Sequence, residues 1–540
     1  MRVFTERGNQ SVSRALRLAC FVLIAAVSVL PLSAQVATAE LSGTVTDPTG
    51  AAVPNATVTA INAATGVLVR ETVTGAGGEY VMTLLPPGTY TITAESPGFR
   101  KLQQTGVTLN VNQRAQLDLR LEVGQVTETV EVQATAPLLE SQSSSLGSVI
   151  GERFVSELPL NGRNFVQLAI LTPGVNGTGF STPGTIQSGT RPDDRRPGTE
   201  IFSNGNREGS NNFLYDGVDN NERLIQLIVY RPAVEAIREF KVQTNMFSAD
   251  VGRNSGAVVD VITKSGTNEL HGSAFHFHRN SAMDAKNFFT RPGSPVPPFR
   301  YNQFGFAVGG PIVRNRTFWF GNYEGFRRSL LNTTTRTVPT LAMRQGDFSG
   351  QPNTIFDPLT TTAQGAGFVR TPFAGNRIPA NRWDPVTAKL MNAYPAPQTA
   401  GLANNYVAEL KQTQDWDQGD VRVDHQFTPN DNFFARYSIQ HTTTFAPNTF
   451  PEVQIPGVSR KVGVGNEDSF AGPAFNPVQH AVLSYVKVLS PRLVNDFRVG
   501  FNRFRLDYTD VSHVPGGKLG VELGVPNANG HPLQTVFPIF

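Results

Sequence analysis

The sequence predicts a mainly β protein: an N-terminal sandwich, a small α+β segment, then strands long enough to cross a membrane. Three observations carry that expectation. Gly (50) and Pro (37) supply 87 of the 540 residues and only 16% are charged, a balance that favours turn-linked strands over helical bundles. Residues 1–39 have the layout of a secretory signal, with Arg2, Arg7, Arg14 and Arg17 ahead of the apolar run Leu18 to Leu30 and small-residue cleavage sites at Leu32-Ser33-Ala34 and Ala37-Thr38-Ala39. That run of 13 residues is short of the about 20 that span a bilayer as a helix. No later stretch approaches such a helix, so any membrane crossing falls to strands.

Removing residues 1–39 takes away four Arg and one Glu, so 46 minus 4 leaves 42 basic side chains and 43 minus 1 leaves 42 acidic ones. A balanced chain lacks the clustered cations that nucleic acid demands, and nucleic acid is excluded as a partner. The single cysteine, Cys20, lies inside the signal. The mature chain therefore has no thiol for disulfides, zinc or nucleophilic catalysis.

Residues 40–123 alternate short β-rich runs with turns. The expected strands are Leu41 to Thr46, Thr57 to Asn62, Leu68 to Thr74, Tyr80 to Leu85, Thr89 to Glu95, Thr105 to Val111 and Ala115 to Leu121, a spacing that suits a sandwich. The stretches SGTVTDPTGAAVPNATVTA and GEYVMTLLPPGTYTITAESPGF resemble the carboxypeptidase regulatory-like (prealbumin-like) domain. That resemblance implies a carbohydrate-binding-like fold. The segment contains no histidine, which argues against peptidase chemistry in it.

The linker 124–136, QVTETVEVQATA from Gln125, places alternating β-formers behind an acidic residue. Glu128, Thr129, Val130, Glu131 and Val132 resemble the TonB box, which implies binding to a TonB-type periplasmic energy-coupling protein by strand addition. The same pattern also suits a last edge strand of the sandwich or a plain linker.

Residues 137–268 are rich in Gly and Asn and follow neither period. Their landmarks LPLNGRNF (Leu158 to Phe165), NNFLYDGVDN (Asn211 to Asn220) and the junction RPAVEAIREFKVQTNMFSADVGRNSGAVVDVITKSGTNELHGS (Arg231 to Ser273) stand in the order that resembles the plug of TonB-dependent outer-membrane transporters, most closely the Oar-like subgroup. The resemblance implies a four-stranded plug inside a barrel, with Asp216-Gly217 turning between two strands. It also implies that Arg163, Asn164, Asp216, Arg253 and Lys264, at motif positions, make polar contacts between plug and barrel wall. Gly266 and its neighbours form the tether.

Residues 269–540 carry strands of period two. Val421, Val423 and Phe427 alternate with Arg422, Asp424 and Gln426; Phe433, Ala435, Tyr437 and Ile439 alternate with Arg436, Ser438 and Gln440. Leu493, Phe497, Val499 and Phe501 stand opposite Asp496, Arg498 and Asn502. Further strands are expected at Gly272 to His278, Tyr301 to Gly310, Arg316 to Phe326 and Val478 to Val488. Tight turns at Thr428 to Asp431 and Leu489 to Pro491, against long polar segments from Asn332 to Asp417 and His441 to Pro477, give the asymmetry of a barrel with short periplasmic turns and solvated outer loops. Seven or eight strands cannot enclose a plug of about 130 residues, since plugged lumens occur near 22 strands. The expectation is that the sequence stops inside a barrel.

His271, His276 and His278 lack a carboxylate partner set and are expected to be polar lumen residues. No nucleophile elbow, GxGxxG or P-loop is present, so no enzyme activity and no cofactor is expected. The expected function is an outer-membrane, TonB-dependent receptor or transporter. Its partners would be the coupling protein, outer-membrane lipid and an extracellular cargo such as a glycan or peptide. The alternative is an adhesin or assembly protein that uses the barrel as an anchor.

Overall fold

The computed structural model describes residues 38–125, 129–133, 143–177, 201–222, 228–248, 251–286, 288, 293, 295–459, 461–462, 471–490, 493–508 and 519–524. The first body is a sandwich of β1 (Ala39–Thr46), β2 (Thr57–Asn62), β3 (Leu68–Val73), β4 (Glu79–Leu85), β5 (Gly88–Glu95), β6 (Lys101–Leu109), β7 (Arg114–Gln116), β8 (Leu119–Arg120) and β9 (Thr129–Gln133). One sheet runs β4-β1-β7 with β8 also on β1, and the other runs β3-β2-β5-β6-β9. Inward positions of period two, such as Tyr90, Ile92 and Ala94 against Leu41, Met82 and Leu85, are buried between the sheets.

Two strand expectations change for local reasons. The run Ala115 to Leu121 splits into β7 and β8 because the Asp118 carboxylate accepts from the Thr44 amide at 2.8 Å, in the place of a backbone acceptor. β6 begins at Lys101 rather than Thr105, and Gly106 (φ 77°) beside the register shift marks a bulge that interrupts its alternation.

The second body holds β10 (Leu146–Gly151), helix α1 (Glu152–Glu157), β11 (Val175–Gly177), β12 (Ile201–Ser203), β13 (Asn212–Tyr215), β14 (Val218–Asp219), β15 (Ile237–Asn245) and β16 (Val258–Thr263). Its sheet runs β10-β15-β16-β13-β14, five strands where the resemblance implied four. Phe165, Phe213, Tyr215, Tyr230 and Phe240 fill its core, with Phe165 edge-on to Phe240 at 5.3 Å.

The third body is a meander of β17 (His271–Asn280), β18 (Phe299–Val313), β19 (Thr317–Arg336), β22 (Tyr406–Thr428), β23 (Asp431–Ala446), β26 (Gly472–Ser490) and β27 (Leu493–Phe504), each antiparallel to the next. The short hairpins β20 (Thr362–Gln364) with β21 (Gly367–Val369) and β24 (Val453–Gln454) with β25 (Lys461–Val462) lie in its loops, and β28 (Asp507–Tyr508) pairs with β26. Val421, Phe427, Tyr437, Phe497, Val499 and Phe501 point outward and are exposed, as a lipid-facing surface requires.

Residues 332–336, 406–417, 441–446 and 472–477, expected as loop, continue the strands instead. In 332–336 and 406–417 polar residues such as Thr333, Thr335, Glu409, Lys411 and Asp415 take the outward positions, so the amphipathic signal ends there while the pairing continues. The loops are not simply solvated: Val338, Leu390, Ala393, Phe450, Ile455 and Val458 pack into a core of their own.

His276 and His278 correct another expectation. They pair across to Phe304 and Asn302, on the outward face with Phe306, and not on the lumen face. The sandwich sits at the tight-turn end, where Gln426 Nε2 donates to the Leu68 carbonyl at 2.6 Å and Phe318 joins the sandwich core.

Candidate functional site at the contact of plug and barrel wall

Strand register stacks the inward residues in rows. Asn322, Asp420, Ser438, His480 and Asn502 form one; Phe320, Arg422, Arg436, Val482 and Gly500 form the next towards the tight turns. The turn between β13 and β14 reaches both rows. Asp216 (φ 50°) and Gly217 (φ 73°) are both left-handed, the geometry of a type I′ hairpin, which Asp and Gly adopt readily.

The Asp216 side chain is 3% exposed and accepts from Arg436 Nε at 2.6 Å, the Thr263 amide at 2.9 Å and the Thr263 hydroxyl at 2.8 Å. Arg422 approaches it at 3.5 Å and donates to Thr263 Oγ1 at 2.7 Å. Burial alone would raise the Asp216 pKa, but Arg436 and Arg422 outweigh it and hold the carboxyl below its usual range. The Arg436 guanidinium also lies 3.6 Å from the Tyr215 ring centre.

A second carboxylate completes the network from the wall. Asp420 accepts from Tyr215 at 3.0 Å, Tyr230 at 2.8 Å and Asn322 at 2.9 Å, and from the Ser438 hydroxyl. Arg498 and Asn502 donate to the Asp216 and Asp219 carbonyls at 3.2 and 3.3 Å. Val218 occupies the space that a side chain at Gly500 would fill. Two acids and two arginines are thus removed from water together, and each needs the others.

The motif residues distribute as follows. Asp216 joins the plug to the wall, and Arg163 pairs with Glu235 in the plug while stacking on Phe275 and Phe277 of β17 at 4.5 and 4.6 Å. Asn164 accepts from the Val166 amide at 3.2 Å and caps a 3-10 turn. Arg253 and Lys264 pair within the plug instead of with the wall, at 2.6 Å with Asp219 and 2.7 Å with Glu152. Both of those acids are near in space and far in sequence. Thr129, Val130, Glu131 and Val132 lie on β9, parallel to β6, while Glu128 falls outside the described residues.

Asp420, Arg436, Tyr230 and His480 were not singled out in the sequence. For Asp420 and Arg436 the signal was charge recurring at period two on the inward face of strands that otherwise meet lipid, whereas nothing local marked Tyr230 or His480.

A polar seam also joins sandwich and plug. The Val111 amide donates to Glu239 Oε1 at 2.5 Å, Asn112 Nδ2 to Asp260 Oδ2 at 3.0 Å, and Lys241 Nζ to the Asn112 carbonyl at 2.9 Å. Burial pushes the Asp260 carboxyl up to about 7. A cavity of about 170 Å3 lies where the three bodies meet, lined among others by Pro86, Arg238, Gly266 and Phe434. No group of three or more potential metal ligands occurs among the described residues.

The outer membrane beta barrel domain family matches residues 262–540, which is over half of the chain. The chain belongs to this outer-membrane β-barrel family. The carboxypeptidase regulatory-like domain family matches residues 40–122 of the barrel protein. Its relative named "TonB-dependent transporter Oar", from Myxococcus xanthus, is 26% identical over 321 residues, covering 56% of this chain and 28% of that one. The "Probable TonB-dependent siderophore receptor PirA" of Acinetobacter baumannii is 30% identical over 253 residues, covering 44% and 31%. The chain thus spans less than a third of the length of these curated relatives. Among solved structures, the outer membrane transporter YddB from Escherichia coli aligns with 66% of this chain and 47% of its own, at 12% identity and a TM-score of 0.33. This barrel protein resides in the outer membrane and is related to TonB-dependent proteins that are a transporter and a receptor by name.

Proposed function

We propose that this protein is an energy-coupled gate that admits an extracellular cargo through a plugged barrel. The supporting observation is the buried lock of Asp216 with Arg436 and Arg422, which fixes the β13–β14 turn of the plug to the wall. A charge pair of this kind holds well while intact and opposes partial displacement, because separating it strands charge away from water. A gate so held needs work from outside, and the segment around Glu128 to Val132 is the proposed place where a TonB-type coupling protein applies it. The Asn-rich and aromatic outer loops suit a glycan or peptide as cargo.

Planar-bilayer conductance of the protein tests this. A gate stays closed with residues 137–268 in place and conducts when they are deleted. A barrel that serves only to anchor an adhesin shows no such opening and loses no function in cells without the coupling protein.

A further inference from the structure

We propose that the N-terminal sandwich is a clasp: one of its loops grips the plug, another grips the wall, and the plug parts from the wall only after the wall grip is released. This rests on the plug acting as a gate. Strands β2 and β6 are both antiparallel to β5, which lies between them, so the loops that follow them emerge at the same end of the sheet. Each of those two loops reaches a different body.

The plug grip is the loop at residues 110–113. Its three hydrogen bonds, to Glu239, Asp260 and Lys241, each involve a charged side chain of a residue 6% exposed or less, and Val111 packs against Ile262 beside them. Charge-assisted bonds are roughly twice as strong as neutral ones. This grip therefore holds the sandwich firmly to the plug sheet.

The wall grip is made by residues 64–68. Asn268, in the tether just past Gly266, donates its amide to the Ala64 carbonyl at 3.3 Å and its side-chain nitrogen to the Thr65 carbonyl, while its side-chain oxygen accepts from the Asn315 amide at 2.8 Å in the turn between β18 and β19. Gln426 Nε2 reaches the Leu68 carbonyl, and Phe318 enters the sandwich core. The polar bonds of this grip join neutral groups at residues that water reaches, so they exchange for water at little cost. The wall grip is accordingly the one that yields, and sandwich and plug stay joined. The cavity of about 170 Å3 lies between the two grips, bordered by Val67 of the sandwich, Phe318 of the wall and the lock residues Asp216 and Arg422. The clasp thus spans the lock at the tight-turn end.

A reversible cross-link over the wall grip tests this. Ala64 and Arg314 are exposed on its two sides, and in the protein with Cys20→Ala, Ala64→Cys and Arg314→Cys the two thiols are joined by a flexible, cleavable bismaleimide. Openings are counted in planar bilayers as urea is raised. At the urea concentration that opens half of the unlinked molecules, the linked protein should open about tenfold less often, and cleaving the linker should restore opening. Adding Asn112→Gly and Glu239→Ala, which weaken the plug grip, should let the linked protein open again. A linked protein that opens as often as the unlinked one overturns the clasp while the gate stands. One that stays shut with the plug grip weakened shows a sandwich that only covers the mouth, and thiols that fail to join show that this loop does not lie on the wall; either result overturns the clasp. An unlinked protein that never opens before the barrel itself unfolds contradicts the gate.

Discussion

Asp216 and Arg436 decide how firmly the plug is held. Asp216→Asn keeps an acceptor for the Thr263 amide but leaves the Arg436 guanidinium, whose side chain is 0% exposed, without its closest charge partner. Removing one partner of such a pair costs about 3–5 kcal/mol. The expected result is faster hydrogen exchange at the Thr263 amide and a leak current through the barrel. The pH dependence follows from a carboxyl whose folded pKa is lowered: its stabilisation is present above the unfolded value of 3.8 and is lost as pH falls through the lower folded value. Conductance measured against pH should stay closed from neutral down to about pH 4 and rise only below it.

Asp260 has the opposite sign. Burial raises it from 3.8 to about 7 against the Asn112 hydrogen bond, which favours the carboxylate, so the buried site favours a protonated Asp260, and that contribution declines as pH rises from 3.8 to about 7. Asp260→Asn should protect the sandwich from limited proteolysis at pH 8 and change little at pH 4. Of these residues only Asp216 stood out in the sequence, because it belongs to an Asp-Gly turn. Its partners sit in strands some 200 positions later, Arg436 being 220 residues away, and register alone brings them together. Arg253 and Lys264 misled for the same reason, their acids Asp219 and Glu152 being plug residues that no local pattern connects to them.

At the scale of elements, the tether and the turn are the most constrained. Gly266 lies against backbone of β18 and β19, where an added Cβ would stand 2.5 Å from the Gly310 carbonyl oxygen and 2.9 Å from the Trp319 nitrogen. Backbone cannot yield as a side chain can, so Gly266→Ala should lower the yield of heat-resistant folded barrel on a semi-native gel, whereas Gly350→Ala, with nothing within 4 Å and no left-handed backbone, serves as the control. Gly217→Ala at φ 73° should destabilise the plug by about 1–2 kcal/mol in denaturant titrations. Strands whose outward face meets lipid were legible from alternation: Val421, Phe427, Phe497 and Phe501 are exposed as expected. Alternation disappears in the outer extensions such as residues 406–417, where Glu409, Lys411 and Asp415 replace the apolar set, and pairing with β19, joined from Thr413 onward by pairing with β23, keeps the strand going.

On the scale of the whole molecule, three β bodies lie in series from the tight-turn end of the barrel: sandwich, plug and wall. Periodicity disclosed the sandwich and the lipid-facing wall, whereas the plug between them, which follows neither period, was legible only through the order of its motifs. The seams between them were not legible, since they are made by single loops and charges such as Asn112 and Asp216. The central claim is that an external pull separates plug from wall. Ala307 faces the lumen from β18, is 6% exposed and packs with Ala236 of the plug, so Ala307→Cys is a small change at that contact, and the sequence holds one cysteine, Cys20. Its labelling by a membrane-impermeant maleimide should rise at least tenfold in energised cells that contain the coupling protein compared with cells that lack it. Equal labelling in the two would mean that the plug does not part from the wall under coupling, and would contradict the account.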